Sequence, residues 1–304
     1  MIRVVAPSRL HLGIVAPAEV DGRRFGSIGL ALKVYETEVF AERCDEIKVV
    51  GCRDAKRFAR MIAEKFKIKG KVRIKKHAPR HVGLGSTTQL ALSVSKALLD
   101  LHGIKYDIVE VSRMLGRGKV SGVGTYVFKY GGLVVDGGGN FPPLISRCKF
   151  PSDWYVFVVI PRGKGLYGKR EEEAFKSLKP RPDLTYKASF LTFMKVIPSV
   201  IEGDFENFVE SLERLQKVVG YMFSDVQGDI FNPKSAEVVD VMRSLGLRGI
   251  GQSSWGPTVY AFARENVLEI YDDLKSSLRA EVHLTSARNF GARSYNLLGS
   301  VISP

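Results

Sequence analysis

Residues 83–89 are the part of this sequence whose residue types and spacing point most directly to chemistry. They are Gly83, Leu84, Gly85, Ser86, Thr87, Thr88 and Gln89. The two glycines precede a helical pattern of apolar residues that begins at Leu90 and continues through Val94 and Leu98. Glycine lets the backbone approach a ligand closely, and the first N–H groups of a helix are unpaired donors with partial positive charge. The pattern therefore predicts a phosphate site where this helix begins.

The local spacing also predicts how the helix starts. Ser86 and Gln89 stand three residues apart, the spacing of a capping box, so we expect the helix to begin near Ser86. No lysine follows Gly85, so the segment is not a Walker loop. The alternative to a phosphate site is a tight turn that binds nothing.

Strands and helices that must position this loop are mixed along the chain without strict β-α-β repetition. Up to about residue 150 the patterns are mainly those of strands, with helices predicted at 54–66 and after residue 86. A glycine cluster at 131–139 and the pair Pro142-Pro143 interrupt the chain, and helical patterns dominate later. We therefore predict an α+β fold in two layers, with domains at residues 1–150 and 151–304.

Composition places the protein among ordinary globular chains. Of its 304 residues, 45% are hydrophobic and 26% are charged, which excludes extended disorder. No stretch reaches the roughly 20 apolar residues of a membrane span, and the N-terminus lacks an export signal. We expect a cytoplasmic protein that does not associate with membranes.

The net charge of +14 favours anionic ligands. Between residues 65 and 80 there are eight basic residues and no acidic one, and they alternate with apolar residues from 69 to 75. This period of two predicts a strand with one solvated face, and an anion-attracting surface is the alternative. We do not expect nucleic-acid binding, because no aromatic residues are interleaved with the basic ones.

Two further segments, APSRLHLG at 6–13 and GIGQSSWGPTVYAF at 249–262, occur in the order that the GHMP kinase superfamily requires. The loop at 83–89 resembles the phosphate-binding motif of that superfamily. The resemblance implies an N-terminal domain like the second domain of ribosomal protein S5 and a ferredoxin-like C-terminal domain. Gly124 stands where the kinases have a catalytic Asp, and Arg9, which cannot act as a base, replaces a common lysine.

The chain resembles more closely a non-kinase branch, the β-ribofuranosylaminobenzene 5'-phosphate synthases of archaeal methanopterin biosynthesis. The resemblance rests on the segments that begin at Pro7, Gly83, Gly116, Gly131 and Gly251. It implies that phosphoribosyl pyrophosphate reacts with 4-aminobenzoate or 4-hydroxybenzoate, with loss of pyrophosphate and CO2, using Mg²⁺ and no organic cofactor. It also implies a homodimer. The alternative is an ATP-dependent small-molecule kinase that works without the Asp.

The remaining site residues follow from this reaction and this resemblance. Arg9 is predicted to bind the benzoate carboxylate and His11 to exchange a proton at the para group, whereas a structural ion pair and a buried imidazole are the alternatives. We expect phosphate contacts from Ser121 and Thr125, and substrate contacts from Gln252, Ser253, Ser254, Trp255 and Asp136. Trp255 would stack on the aromatic ring or else pack in the core, and Asp136 would bind the substrate or else cap a turn. A basic loop is a candidate lid or else a solvated loop; its residues are Arg162, Lys164, Lys169 and Arg170. The metal ligands are not predicted.

Overall fold

A computed structural model describes residues 1–163, 165–296 and 298–303. The first half of the chain is organised around a long antiparallel hairpin of β1 (Ile2–Val20) and β2 (Arg23–Glu42). The elements that follow are β3 (Ile47–Val50), α1 (Ala55–Phe66), β4 (Gly70–Lys76), α2 (Ser86–Leu101), α3 (Ile108–Met114), α4 (Val123–Tyr130), β5 (Leu133–Asp136) and β6 (Leu144–Cys148). Strands β4 and β5 both pair with β2, and β6 pairs with β5.

The second half of the chain contains most of the helices. Its elements are β7 (Tyr155–Ile160), α5 (Lys169–Ser177), α6 (Pro182–Leu191), a π-helical turn (Thr192–Val196), α7 (Ile197–Glu202), α8 (Phe205–Gln227), α9 (Pro233–Ser244), β8 (Arg248–Gln252), β9 (Val259–Ala263), α10 (Val267–Ser277), β10 (Glu281–Ser286), β11 (Arg293–Tyr295) and β12 (Val301–Ser303).

The second sheet has the strand order β10-β7-β9-β8, and every pairing in it is antiparallel. Helices lie between β7 and β8 and between β9 and β10, which is the β-α-β-β-α-β succession of a ferredoxin-like domain. The predicted α+β class and the ferredoxin-like C-terminal half are therefore confirmed. Strand β11 pairs with β1, so the chain returns to the first sheet after residue 292.

A shared apolar core joins the two halves. Leu10 of β1 and Leu30 of β2 belong to the same buried cluster as Phe208 and Leu212 of α8. Burial of these side chains removes apolar surface from water and fixes β1 against the second half of the chain. Residues 9–13 of β1 are consequently held in the interior, next to the start of α2.

The basic strand has the two faces predicted for it. Val72 and Ile74 of β4 are buried, while Arg73 and Lys75 are exposed. Ion pairs connect Lys71 to Glu42 at 2.8 Å and Lys75 to Glu38 at 3.6 Å. Part of the basic charge is thus balanced on the same sheet. None of the helices in the described part of the chain has the length and apolar character that a membrane span requires.

Candidate active site

The loop at 83–89 runs directly into α2, whose first residue is Ser86. Gly85 precedes the helix in a left-handed conformation with φ +68°, and its carbonyl accepts the N–H groups of Thr88 and Gln89, each at 3.1 Å. Among residues 1–163, 165–296 and 298–303, no acceptor lies within hydrogen-bond distance of the N–H groups of Ser86 and Thr87. These donors are available to an anion, as expected where a helix begins.

The predicted capping box is wrong, although the predicted helix start is confirmed. Ser86 lies inside the helix and its side chain caps nothing, because Gly85 occupies the capping position. The Gln89 amide Nε2 instead donates to the carbonyl of Gly124 at 2.8 Å. Gln89 is buried and connects α2 to α4.

Arg9 lies against the phosphate loop. Its backbone N–H donates to the Leu84 carbonyl at 3.1 Å, and its guanidinium Nη1 donates to the Gly83 carbonyl at 3.3 Å. Its Nε is buried without an acceptor, and Arg9 forms no ion pair with any carboxylate in the described part of the chain. Burial lowers the pKa of Arg9 to about 10, so the side chain remains cationic at neutral pH. A partly buried cation without a bonded counter-ion next to free N–H groups is suited to an anionic ligand.

The three segments that resemble the superfamily meet at Ser253. Its Oγ donates to the Gly83 carbonyl at 2.7 Å and accepts the backbone N–H of His11 at 2.9 Å. A Cβ on Gly83 would lie 2.7 Å from the Ser253 carbonyl oxygen, and Gly83 has a positive φ of +97°. Glycine at this position therefore allows the loop and the Ser253 turn to approach each other closely.

His11 is almost fully buried, at 2% exposure. Its Nδ1 accepts the Gly13 N–H at 3.3 Å, which leaves the proton on Nε2, and Nε2 has no acceptor in the described part of the chain. Burial, and then the nearby charge of Arg9, hold the pKa of His11 well below its usual value. At neutral pH the imidazole is accordingly a neutral hydrogen-bond donor. It lines a small cavity of about 20 Å³ together with Gln216, Gln252 and Ser254, room for about one water molecule.

Of the predicted substrate residues at 252–255, Ser254 and Trp255 line the cleft next to the phosphate loop, whereas Gln252 lines the small cavity with His11 and Ser253 is fully buried. The Gln252 amide Nε2 donates to the Ser254 carbonyl at 3.0 Å, so Gln252 supports the turn. Trp255 is buried, and its ring meets Phe175 and Phe223 edge to face at 5.4 and 4.5 Å. This is the core packing that the sequence left open as the alternative to stacking. The Trp255 Nε1–H has no acceptor among the residues that the structure describes.

The phosphate loop and Arg9 line one cleft of about 130 Å³, whereas His11, Gln252 and Ser253 do not. The loop contributes Gly83, Gly85, Ser86, Thr87 and Thr88 to the lining. The other lining residues are Arg9, His81, Arg117, Leu166, Tyr167, Glu171 and the turn at 254–256. The Tyr167 ring stacks on His81 with 3.7 Å between ring centroids, and Gly165 N donates to the His81 carbonyl at 3.0 Å. The segment after residue 164 therefore forms one wall of the cleft.

The basic residues predicted to form a lid do not line this cleft. Arg162, Lys169 and Arg170 are exposed to solvent, and Lys164 lies outside the described residues. The wall is made instead by Leu166, Tyr167 and Glu171, which sequence patterns had not identified. Arg117, which was also missed, donates from Nε to the Thr88 hydroxyl at 3.2 Å. Its two flanking glycines, Gly116 and Gly118, were the only local signal.

Asp136, Ser121 and Thr125 do not line the cleft. The Asp136 carboxylate accepts the N–H groups of Gly122 and Gly138 at 2.8 and 3.0 Å and the Ser121 hydroxyl at 3.4 Å. This is the turn-capping alternative. Burial raises the pKa of Asp136 to about 6, against the opposing effect of these hydrogen bonds. The Thr125 hydroxyl pairs with that of Ser112 at 2.6 Å.

Comparisons with known proteins agree with this architecture. The GHMP kinases N terminal domain model matches residues 53–132, and the GHMP kinases C terminal model matches residues 196–280. Two solved structures share the fold: mevalonate kinase (14% identity, TM-score 0.71, 95% of this chain and 99% of that one) and homoserine kinase from Cytophaga hutchinsonii (16%, 0.65, 96% and 96%).

Two relatives are named beta-ribofuranosylphenol 5'-phosphate synthase. The protein of Archaeoglobus fulgidus is 32% identical over 96% of this chain and 98% of its own length, and that of Methanothermobacter thermautotrophicus is 31% identical over 94% and 96%. The resemblance predicted from the sequence is confirmed, and the relatives' name contains a phenol in place of the expected aminobenzene. The chain belongs to the β-ribofuranosylphenol 5'-phosphate synthase family, within the GHMP kinase superfamily.

Proposed function

We propose that this protein condenses phosphoribosyl pyrophosphate with 4-hydroxybenzoate and releases pyrophosphate and CO2. Membership of the synthase family supports the reaction, and the phenol in the relatives' name favours the hydroxy acid over 4-aminobenzoate. The observation that carries the proposal is the Arg9 guanidinium, which forms no ion pair with a carboxylate of the described residues and contacts the loop that leads to the free N–H groups of Ser86 and Thr87. A diphosphate provides the charge and the acceptor oxygens that this arrangement lacks.

The leaving group occupies the loop in this proposal. The bond between the anomeric carbon and the pyrophosphate oxygen breaks, and both of its electrons go to pyrophosphate. The N–H groups of α2, Arg9 and Arg117 stabilise the negative charge that grows on these oxygens, in the way that an oxyanion hole does. We therefore assign Arg9 to the diphosphate in preference to the benzoate carboxylate, because Arg9 contacts the phosphate loop itself.

The aromatic acid supplies the carbon nucleophile. Its ipso carbon forms the new bond to the anomeric carbon, helped by electron donation from the para oxygen. Loss of the carboxylate as CO2 then returns the electrons of that bond to the ring and restores aromaticity, so no oxidant or reductant is needed. His11 lines a separate cavity with room for about one water molecule and not the phosphate cleft, so the contact between His11 and this acid stays a prediction from the sequence.

The residues at the cleft fit a magnesium ion only together with substrate phosphates. The described residues contain no group of three or more His, Cys, Asp or Glu side chains arranged as a metal site. The cleft offers Glu171 and the hydroxyls of Ser86, Thr87 and Thr88, and Mg²⁺ commonly uses one or two carboxylates plus substrate phosphates. When bound, the ion would neutralise charge on the departing diphosphate.

Kinase chemistry has no specific observation in its favour. Gly124 carries no carboxylate, and a Cβ at this position would lie 3.2 Å from the Thr88 methyl carbon, so a side chain there would require a small shift of Thr88. The solved kinases support the fold alone, since their identity to this chain is 16% or lower.

The test uses purified protein, phosphoribosyl pyrophosphate, Mg²⁺ and carboxyl-labelled 4-hydroxybenzoate, with 4-aminobenzoate in parallel. We expect labelled CO2 from the hydroxy acid, in an amount equal to the pyrophosphate formed. Label released only from the amino acid would overturn the choice of acceptor. No label from either acid, together with ATP-dependent phosphorylation of a small alcohol, would replace the proposal with a kinase.

A further inference from the structure

Glu171 is the one carboxylate among the described residues that line the phosphate cleft. It lies in the first turn of α5 and is only partly exposed, whereas its neighbour Glu172 is exposed. Arg9 and Arg117 both interact electrostatically with it across the cleft. No direct ion pair joins Glu171 to either guanidinium. The Glu171 carboxylate and the two arginines therefore line the same cleft without direct contact.

The position of this carboxylate conflicts with binding of a free diphosphate. Pyrophosphate in the cleft would carry several negative charges at neutral pH and would lie near a like charge at reduced dielectric. Burial already raises the pKa of Glu171, while the two arginines lower it. A divalent cation between Glu171 and the phosphate oxygens would turn this repulsion into attraction.

We propose that Glu171 holds the divalent cation that enters the cleft with the diphosphate. The assignment rests on the proposed function and adds a residue and a role to it. Arg9 and Arg117 would meet the phosphates directly from one side of the cleft, and Glu171 would meet them through Mg²⁺ from the α5 side. Glu171 is thus a metal-positioning residue, and through it the binding of Mg²⁺ and the binding of diphosphate strengthen each other.

This arrangement makes a thermodynamic prediction that does not depend on catalysis. In the wild-type protein Mg²⁺ should tighten pyrophosphate binding, and pyrophosphate should tighten Mg²⁺ binding by the same factor. The variant Glu171→Gln removes the charge and keeps the size of the side chain. Without Mg²⁺ it should bind pyrophosphate about tenfold more tightly than wild type, because the repulsion is gone. Once the formation of the Mg–pyrophosphate complex in solution is corrected for, added Mg²⁺ should tighten pyrophosphate binding to Glu171→Gln by less than about twofold.

The experiment is isothermal titration of the full chain with pyrophosphate, at zero and at saturating Mg²⁺, with correction for the Mg–pyrophosphate complex in solution. Mn²⁺ binding is followed in parallel by electron paramagnetic resonance. Glu172→Gln is the matched control, since it removes the neighbouring exposed charge and should behave as wild type. Urea unfolding of each variant verifies that it is folded.

The outcomes separate the two proposals. Loss of coupling in Glu171→Gln and its retention in Glu172→Gln support the assignment. Equal coupling in wild type and Glu171→Gln overturns it while leaving the phosphate site intact. Failure of wild type to bind pyrophosphate under either condition overturns the proposed function itself.

Discussion

Replacement of Gly83 by alanine tests the meeting point of the loop and the Ser253 turn. The new Cβ would lie 2.7 Å from the Ser253 carbonyl oxygen and 3.3 Å from the Ser253 Cβ, in a residue whose φ is +97°. Neither backbone is free to withdraw. Leu84 accepts the Arg9 N–H at 3.1 Å, and Ser253 N donates to the Thr258 carbonyl at 2.9 Å.

The size of the effect follows from two contributions. A non-glycine residue in the left-handed region costs about 1 kcal/mol or somewhat more in free energy of unfolding. Separation of the segments also breaks the 2.7 Å hydrogen bond from Ser253 Oγ to the Gly83 carbonyl, which contributes about 1 kcal/mol. Displacement of the loop from the Ser253 turn adds a further cost to these two contributions. In total, Gly83→Ala should lower the free energy of unfolding by roughly 2–4 kcal/mol.

Gly103→Ala provides the matched control. Gly103 has a φ of +65°, and a Cβ there would meet nothing within 4 Å. This variant should therefore lose only the backbone contribution of about 1 kcal/mol. The difference between the two variants isolates the close approach at Gly83.

Urea unfolding measures the stability of both variants, and calorimetric titration measures their affinity for pyrophosphate in the presence of Mg²⁺. We expect Gly83→Ala to weaken pyrophosphate binding at least tenfold, because displacement of Gly83 from the Ser253 turn also moves the N–H groups of Ser86 and Thr87. Gly103→Ala should bind as wild type does. If Gly83→Ala matched Gly103→Ala in both measurements, the described contact between the loop and the Ser253 turn would be incorrect.

Three further predictions concern Arg9, Ser253 and Asp136. Arg9→Lys keeps the positive charge but not the planar guanidinium, so pyrophosphate affinity measured by calorimetric titration should fall about tenfold. Arg9→Gln should lower the affinity further. Equal affinities of wild type and both variants would argue against a contact between Arg9 and phosphate. Ser253→Ala removes one donor and one acceptor from a buried site, and urea unfolding should show a loss of roughly 1–3 kcal/mol, whereas an unchanged stability would mean that these bonds contribute nothing. Burial raises the pKa of Asp136 from 3.8 to about 6 in the folded protein, so the folded state binds this proton more tightly than the unfolded state. The resulting stabilisation is fully present below pH 3.8 and is lost as the pH rises through about 6. Relative to wild type, Asp136→Asn should therefore gain roughly 3 kcal/mol between pH 3.8 and 7, and a constant difference across that window would contradict the raised pKa.

The sequence predicted those parts of the fold that local patterns determine. The helix start at Ser86 was predicted correctly, although Gly85 and not the predicted capping box occupies the capping position, and the two faces of β4 follow from a period of two. Helices α5 to α7 escaped prediction. Exposed apolar residues such as Phe190, Met194 and Ile201 obscure any amphipathic pattern there.

The site was less predictable, because its geometry depends on distant segments. Arg117 and Glu171 lie 28 or more residues from the loop, and neither carries a local pattern that indicates a cleft. For Gln89 a local pattern was present, but it predicted the wrong hydrogen-bond partner. Its spacing from Ser86 favoured a local cap, but tertiary packing offered the Gly124 carbonyl as acceptor. Sequence spacing identifies which segments do chemistry, and long-range packing decides which side chains they meet.

The most direct test of the account is a crystal structure of the protein with phosphoribosyl pyrophosphate and Mg²⁺. We predict diphosphate oxygens within hydrogen-bond distance of the Ser86 and Thr87 N–H groups and of the Arg9 guanidinium. A diphosphate bound elsewhere, with the start of α2 in contact only with solvent, would contradict the central claim.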